Sequence, residues 1–195
     1  LAFANKYRKN KLLSFTYFGD GAANQGQVYE TFNMASLWKL PVIFVIENNQ
    51  YAMGTSLKRA SSTPALYTRG AAFGIPGQAV DGMDVLKVRK AGLIATEHCR
   101  TGKGPFILEM NTYRYRGHSM SDPAKYRTRD EVQKMRAERD PIDNLRRILI
   151  KRFKKTEDDL KLIDRAVKAE ISEAADFAIN SDEPPTSELW TDIYI

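Results

Sequence analysis

"FGDGAANQGQVYETFNMASLWKLPVIFVIENN", residues 18–49, sets an acid between two glycines, then a segment of helical spacing, then an apolar run ending in two asparagines. The run before it, "LLSFTYF" at 12–18, stops at Gly19, and "PVIFVIE" at 41–47 stops at Asn48 and Asn49. Compact apolar, β-branched runs bounded in this way read as buried strands. Between them Val28, Phe32, Ala35 and Trp38 recur at the spacing of one helix face. The stretch is therefore predicted to be a β-α-β unit with a parallel, right-handed crossover. In such a unit both strands end at the same sheet edge, so Asp20 and Asn49 reach one rim, where open α/β sheets bind ligands.

Outward from this unit, "VDGMDV" at 80–85 reads as a short strand, a Gly turn and an Asp84 N-cap. A helix to about Arg100 follows, with Val85, Val88, Leu93, Ala95 and Cys99 expected to pack inward. "PFILEMNTY" at 105–113 is a further strand, leading into the polar loop "RYRGHSMSDPAKYRTRDE" at 114–131. A loop of that length in a compact domain is usually functional or disordered. Its Arg114, Arg116, Arg127 and Arg129 could meet phosphates or carboxylates on a partner.

From Asp130 the pattern is helical. Asp140-Pro141 reads as an N-cap and first helical position, and Thr156 with Asp159 as a capping box opening a long amphipathic helix to about Asn180. "SDEPPTSE" then reads as a linker and "LWTDIYI" as an apolar tail that needs something to pack on. The expected architecture is α/β: a parallel sheet with flanking helices over 1–138, and a C-terminal helical extension with its tail over 139–195.

Composition narrows the function. The 195 residues carry 30 Lys plus Arg against 24 Asp plus Glu, a net charge of +6 spread along the chain, which fits a solvated basic surface. A sequence pI near 9.3 raises nucleic-acid binding as an alternative, but no RNA- or DNA-binding motif accompanies it. Cys99 stands alone and His98 and His118 lie far apart, so neither a disulfide framework nor a Cys/His zinc site is available; this suits a reducing compartment. No apolar run approaches a membrane span and no signal-peptide pattern opens the chain. The opening "LAFANKYRKNK" lacks an initiator Met and reads as the last turns of a helix, so the chain reads as the C-terminal part of a longer one.

At the rim, "GDGAANQG" is not a dinucleotide fingerprint, because Asn24 stands where G-x-G-x-x-G needs Gly, and no P-loop pattern occurs. The rim offers instead a hard carboxylate on Asp20, a neutral amide oxygen on Asn49 and backbone carbonyls just beyond. Magnesium takes one or two protein carboxylates in an octahedron completed by phosphate and water. Gly21 and Ala22, ahead of the helix, would let backbone N–H groups approach a phosphate. A magnesium diphosphate fits.

The G-D-G followed by N-N just under thirty residues later resembles the thiamine diphosphate motif. "ENNQYAMGTS" with "YRYRGHSMSDPAKYR", and a match running nearly end to end to "SELWTDIY", is similar to the alpha subunits of pyruvate dehydrogenases, of alphaproteobacterial or mitochondrial type. The resemblance implies the thiamine diphosphate-binding fold and oxidative decarboxylation of pyruvate, with the acetyl group passed to a lipoyl group of the acetyltransferase component. It implies Mg2+ held by the side chains of Asp20 and Asn49 and the carbonyl of Tyr51, and diphosphate contacts from Gly21 and Ala22. His118 would reach the diphosphate end and shape the active-site channel, which makes it the catalytic candidate. Ser119 and Ser56 match kinase-regulated serines of the mitochondrial enzymes, although Lys125 stands where a further regulated serine would be, Arg116 replaces a His, and Ala52 stands where Gly is common. The implied partners are a beta subunit, in an α2β2 heterotetramer, and the lipoyl acetyltransferase, with no nucleic acid and no membrane. The implied compartment is the cytoplasm in a bacterium or the mitochondrial matrix in a eukaryote. A related 2-oxoacid dehydrogenase alpha subunit, or a truncated non-catalytic assembly module, stand as alternatives.

Overall fold

The computed structural model describes residues 1–193. It divides into two compact units, Leu1–Leu145 and Arg146–Ile195. The first is built on four parallel strands: β1 (Ser14–Gly19), β2 (Val42–Asn48), β5 (Gly77–Asp81) and β6 (Phe106–Asn111), in the order β1-β2-β6-β5. A short antiparallel hairpin, β3 (Tyr51–Ala52) with β4 (Thr55–Ser56), follows β2. Helix α1 (Ala2–Tyr7) precedes the sheet, α2 (Gly26–Leu37) joins β1 to β2, α3 (Leu57–Ala60) follows the hairpin, and α4 (Val85–Arg100) joins β5 to β6.

The centre of the sheet is apolar on both faces, as a parallel sheet covered on two sides must be. Alternation in β2 sends Phe44 and Ile46 to one layer with Phe32 and Ala35 of α2, and with Leu66 and Ile75. It sends Ile43 and Val45 to the other, with Ala91, Ala95 and Cys99 of α4. β6 obeys the same period, Ile107 joining the first layer and Phe106, Leu108 and Met110 the second. The Phe32 ring meets Phe44 edge-on at 4.8 Å and Phe73 at 6.1 Å, which locks α2 over the sheet.

Several expectations are corrected. Among the described residues β1 pairs with β2 alone and is not buried: Tyr17 is 63% exposed with Phe15 stacked beside it. In α4, Val85 and Leu93 are exposed at 41% and 54%, while Val88, Ala91, Ala95 and Cys99 form the inward stripe. Leu93 lies two residues from both Ala91 and Ala95, a turn of about 200° that sends it to the opposite side. Trp38 caps the end of α2 against the Phe3 ring and is not a core residue. The strand expected over 105–113 covers Phe106–Asn111. Residues 50–76 hold elements not foreseen, including a 3-10 helix at Leu66–Phe73 whose Leu66 and Gly70 are buried.

Asp84 caps α4 as expected, its carboxylate accepting from the N–H groups of Leu86 and Lys87. Helix α5 (Arg129–Arg139) begins at a Thr128 cap, and α6 (Pro141–Phe153) at Asp140, whose carboxylate accepts from Ile142 and Asp143 N–H. In the second unit, α7 (Glu157–Asn180) opens with the anticipated capping box of Thr156 and Asp159, and an ion pair joins Arg146 to Glu157. Part of the expected linker coils as a 3-10 turn, Thr186–Trp190. Of the apolar tail, Tyr194 and Ile195 lie outside the described residues.

Candidate functional site

Register brings the rim together. Gly19 of β1 pairs with Glu47 of β2, and Asn48 pairs with Asn111 of β6, which in turn faces Asp81 of β5. Asp20, one residue beyond β1, and Asn49, one beyond β2, therefore emerge from neighbouring strands at the C-terminal edge, as predicted.

Asp20 is 2% exposed. Among the described residues no Lys or Arg forms an ion pair with it. Burial pushes its carboxyl above the usual range, opposed by a hydrogen bond from its own backbone and by the charge of Arg114. A buried acid left in that state is one that a cation would stabilise.

Beyond Asp20 the chain coils into a 3-10 turn, Ala22–Asn24, before α2 begins at Gly26. The turn closes through Asn24 N–H to the Gly21 carbonyl at 3.1 Å and Gln25 N–H to the Ala22 carbonyl at 3.0 Å, bonds that do not consume the amides of Gly21 and Ala22. Arg69 holds it from outside, donating to the Ala23 carbonyl at 2.7 Å, the Asn24 side-chain oxygen at 2.8 Å and the Ser61 hydroxyl at 2.6 Å. A Cβ on Gly21 would lie 2.5 Å from the Ala52 Cβ, so β3 packs directly on this turn.

The two asparagines play different parts. Asn49 is half-buried, and its side-chain oxygen accepts from Tyr51 N–H at 3.3 Å, leaving a lone pair for another partner. Asn48 is buried; its amide nitrogen donates to Glu109 at 2.6 Å while its oxygen accepts from the backbone and side-chain nitrogens of Gln50 at 3.1 and 3.0 Å. Tyr51 presents its carbonyl to Arg114 at 3.2 Å. Asp20, the Asn49 oxygen and the Tyr51 carbonyl would offer one charged and two neutral oxygens, the donor types that Mg2+ takes alongside water and phosphate. Among the described residues there is no group of three or more His, Cys, Asp or Glu that could hold a metal ion.

The loop after β6 folds onto the hairpin. Arg114 donates to the Tyr51 and Met53 carbonyls and to the Tyr126 hydroxyl at 2.8 Å. Arg127, 9% exposed, sits over the rings of Tyr51, Tyr113 and Tyr126 at 5.4, 4.9 and 5.1 Å and donates to the carbonyls of Arg114 and Arg116. Two of the four arginines considered for phosphates or a partner, Arg114 and Arg127, are therefore engaged by the loop and the hairpin. Asp122 accepts from His118 N–H at 2.7 Å, Ala124 N–H at 2.9 Å and the Tyr126 hydroxyl at 2.8 Å, bonds that hold its carboxyl down at about 2. His118 and Ser119 are exposed, the Ser119 hydroxyl 3.1 Å from that of Ser121; Ser56, half-buried, is the residue from which α3 starts.

Glu109, Arg69 and the internal use of Arg114 and Arg127 went unread in the sequence. A single acid inside the apolar run "FILEM" was the signal for the first. The other three depend on contacts across the fold that no local pattern carries.

Similarity to known proteins covers this whole site. A family profile described as "Dehydrogenase E1 component" matches residues 1–187. The chain is 63% identical over its full length to "Pyruvate dehydrogenase E1 component subunit alpha" of Rhizobium meliloti, covering 56% of that protein. It is 57% identical to the protein of the same description from Zymomonas mobilis, covering 55%, and 53% identical to a mitochondrial one from Dictyostelium discoideum, covering 52%. The chain thus spans about half the length of the curated relatives it matches. By the extent of the profile match, it belongs to the dehydrogenase E1 component family.

Proposed function

We propose that this chain forms the magnesium end of a thiamine diphosphate site in the alpha subunit of a pyruvate dehydrogenase. The observation that carries the reading is the buried carboxylate of Asp20, without an ion-pair partner among the described residues, delivered beside Asn49 and the Tyr51 hairpin. The names of relatives at 50–63% identity support pyruvate as the substrate. When bound, thiamine diphosphate supplies a ring that takes up the electron pair freed as carbon dioxide leaves a 2-oxo acid.

The residues of this chain hold that group in place. Asp20 contributes the charged metal ligand, Asn49 its side-chain oxygen and Tyr51 its carbonyl, whose second lone pair stays open beside Arg114. The amides of Gly21 and Ala22 face the diphosphate, held by Arg69 from behind. His118, on the loop that Asp122 shapes, lines the approach to the diphosphate. Ser119 and Ser56 are the regulatory phosphorylation positions of this reading; a phosphate on Ser119 would place negative charge beside Asp122 and an anionic cofactor, and loosen the loop.

The partners in this reading are a beta subunit, in an α2β2 assembly, and the lipoyl acetyltransferase that accepts the acetyl group. The compartment is the bacterial cytoplasm, or the mitochondrial matrix for a eukaryotic source. No helix among the described residues is long and apolar enough to cross a membrane.

Calorimetric titration of thiamine diphosphate into the full-length chain coexpressed with its beta subunit, with and without magnesium, tests the proposal. Binding is expected to require magnesium. Asp20→Ala should weaken it beyond the roughly 10–100-fold that follows loss of a group merely hydrogen-bonded to a ligand. Magnesium-dependent binding at wild-type affinity in Asp20→Ala would overturn the reading.

A further inference from the structure

Glu109 stands in the middle of β6, 2% exposed between Leu108 and Met110, which are buried too. Among the described residues no Lys or Arg pairs with it. A buried carboxylate is costly unless hydrogen bonds satisfy it. Two donors do so: the Asn48 side-chain amide at 2.6 Å to one oxygen, and the Tyr67 backbone N–H at 2.9 Å to the other. For packing alone an apolar side chain would serve this position better, so the acid calls for a reason.

That reason lies in what the carboxylate does to Asn48. Both oxygens of Glu109 accept, one from the Asn48 side-chain amide and one from Tyr67 N–H, so it is the nitrogen end of the Asn48 amide that faces β6. The nitrogen points to Glu109 and the oxygen must point to the turn, where it accepts twice from Gln50. Gln50 needs that hold, because its φ of +73° lies in the left-handed region, which disfavours a residue that carries a Cβ. The residues on either side of Gln50 are Asn49 and Tyr51, and the Gln50 carbonyl accepts from Leu57 N–H at 2.9 Å to seat the hairpin.

We infer that Glu109 is a positioning residue for the metal end of the site: acting through the Asn48 amide, it holds Gln50 in its left-handed conformation and so aims the Asn49 oxygen and the Tyr51 carbonyl. The inference rests on the proposed magnesium–thiamine diphosphate reading. It assigns the two asparagines separate work, Asn49 at the metal and Asn48 behind it.

Exchange of the buried pair tests this. Glu109→Gln puts an N–H2 against Tyr67 N–H or against the Asn48 amide, and rotating Asn48 to escape sets its own N–H2 against Gln50 N–H. Asn48→Asp brings a second carboxylate onto Glu109. In the double variant Asn48→Asp/Glu109→Gln the hydrogen bond across the pair is restored with its direction reversed. The amide introduced at position 109 accepts from Tyr67 N–H and donates to the carboxylate introduced at position 48, whose other oxygen accepts from Gln50.

The magnesium concentration that half-saturates thiamine diphosphate binding is measured on the full-length chain in its assembly with the beta subunit. Amide exchange at Gln50 and Tyr51 is measured in the same assembly without cofactor. Each single variant is expected to need about 10–100-fold more magnesium and to exchange faster at both amides, and the double variant to return within a few fold of wild type. Gln50→Pro, which cannot adopt positive φ and lacks the N–H, cuts the linkage at the exposed end without touching the buried pair, and should raise the magnesium requirement likewise.

An unchanged requirement in the single variants or in Gln50→Pro, or no recovery in the double variant, overturns the inference. Should the single variants fail to fold, Gln50→Pro and the double variant decide alone. Absence of magnesium-dependent binding in the wild type would instead refute the functional reading beneath it.

Discussion

Ala52 and Gly21 touch across the rim in a way that fixes both residues. The backbone of Gly21 is right-handed helical, φ −66° and ψ −48°, which alanine adopts without strain. What excludes a side chain is the Ala52 Cβ, 2.5 Å from where a Gly21 Cβ would lie. Gly21→Ala should therefore push β3 away and carry the Tyr51 carbonyl with it, at the roughly 1–3 kcal/mol typical of overpacking. Because the conflict is between two methyl groups, Gly21→Ala/Ala52→Gly should recover most of the loss. Urea unfolding of the wild type, both single variants and the double variant gives the coupling directly; additive single effects would show that the contact is not the constraint. Ala52 is the residue that makes Gly21 obligatory here.

Among elements, the loop between β6 and α5 has more internal structure than its composition advertises. Its length and polarity mark it as functional, but Asp122 orders it by gathering donors from His118, Ala124 and Tyr126. Gly117 is needed for this closure, since a Cβ there would collide with the Asp122 carbonyl. Asp122 has a folded pKa of about 2, below its ordinary value of 3.8, so its stabilisation of the loop is complete above the unfolded value and is lost as pH falls through about 2. The amide resonance of Ala124 should hold steady from neutral pH down to about 3 and move only below it. Tyr126→Phe, which removes one of the three donors, should raise that midpoint toward the ordinary carboxylate value. A wild-type midpoint near the usual ~3.9 of an aspartate would show that these bonds do not hold the acid.

At the scale of the molecule, what was legible in the sequence follows from periodicity. The runs around Ile43 and Ile107, the α2 and α4 stripes and the caps at Asp84, Asp140 and Thr156 all repeat a local rule, and the sheet built from them brings Asp20 and Asn49 to one rim. Residues 50–76 escaped because two-residue strands and a 3-10 helix have no period to detect, and β1 was misjudged because apolar content does not say whether a strand has one neighbour or two. The half of the site that went unread is its support, Glu109, Arg69 and Arg127, each defined by residues distant in sequence. The same rim sets a trade between stability and binding. Burial raises the Asp20 pKa, so the folded chain holds that proton more tightly than the unfolded one, and stability falls as pH rises from the unfolded carboxylate value through the raised folded one. Above the raised folded value the full cost is present; below both values it vanishes. Asp20→Asn should therefore melt at or above the wild type in the metal-free assembly at neutral pH, with the difference closing on acidification. Adding magnesium and thiamine diphosphate should raise the melting temperature of the wild type and leave that of the variant unmoved, because ligand binding stabilises only the state that binds it. A variant that melts lower than wild type without metal would mean that Asp20 is held by the fold for its own sake, and equal ligand-induced shifts would mean that the metal does not need it.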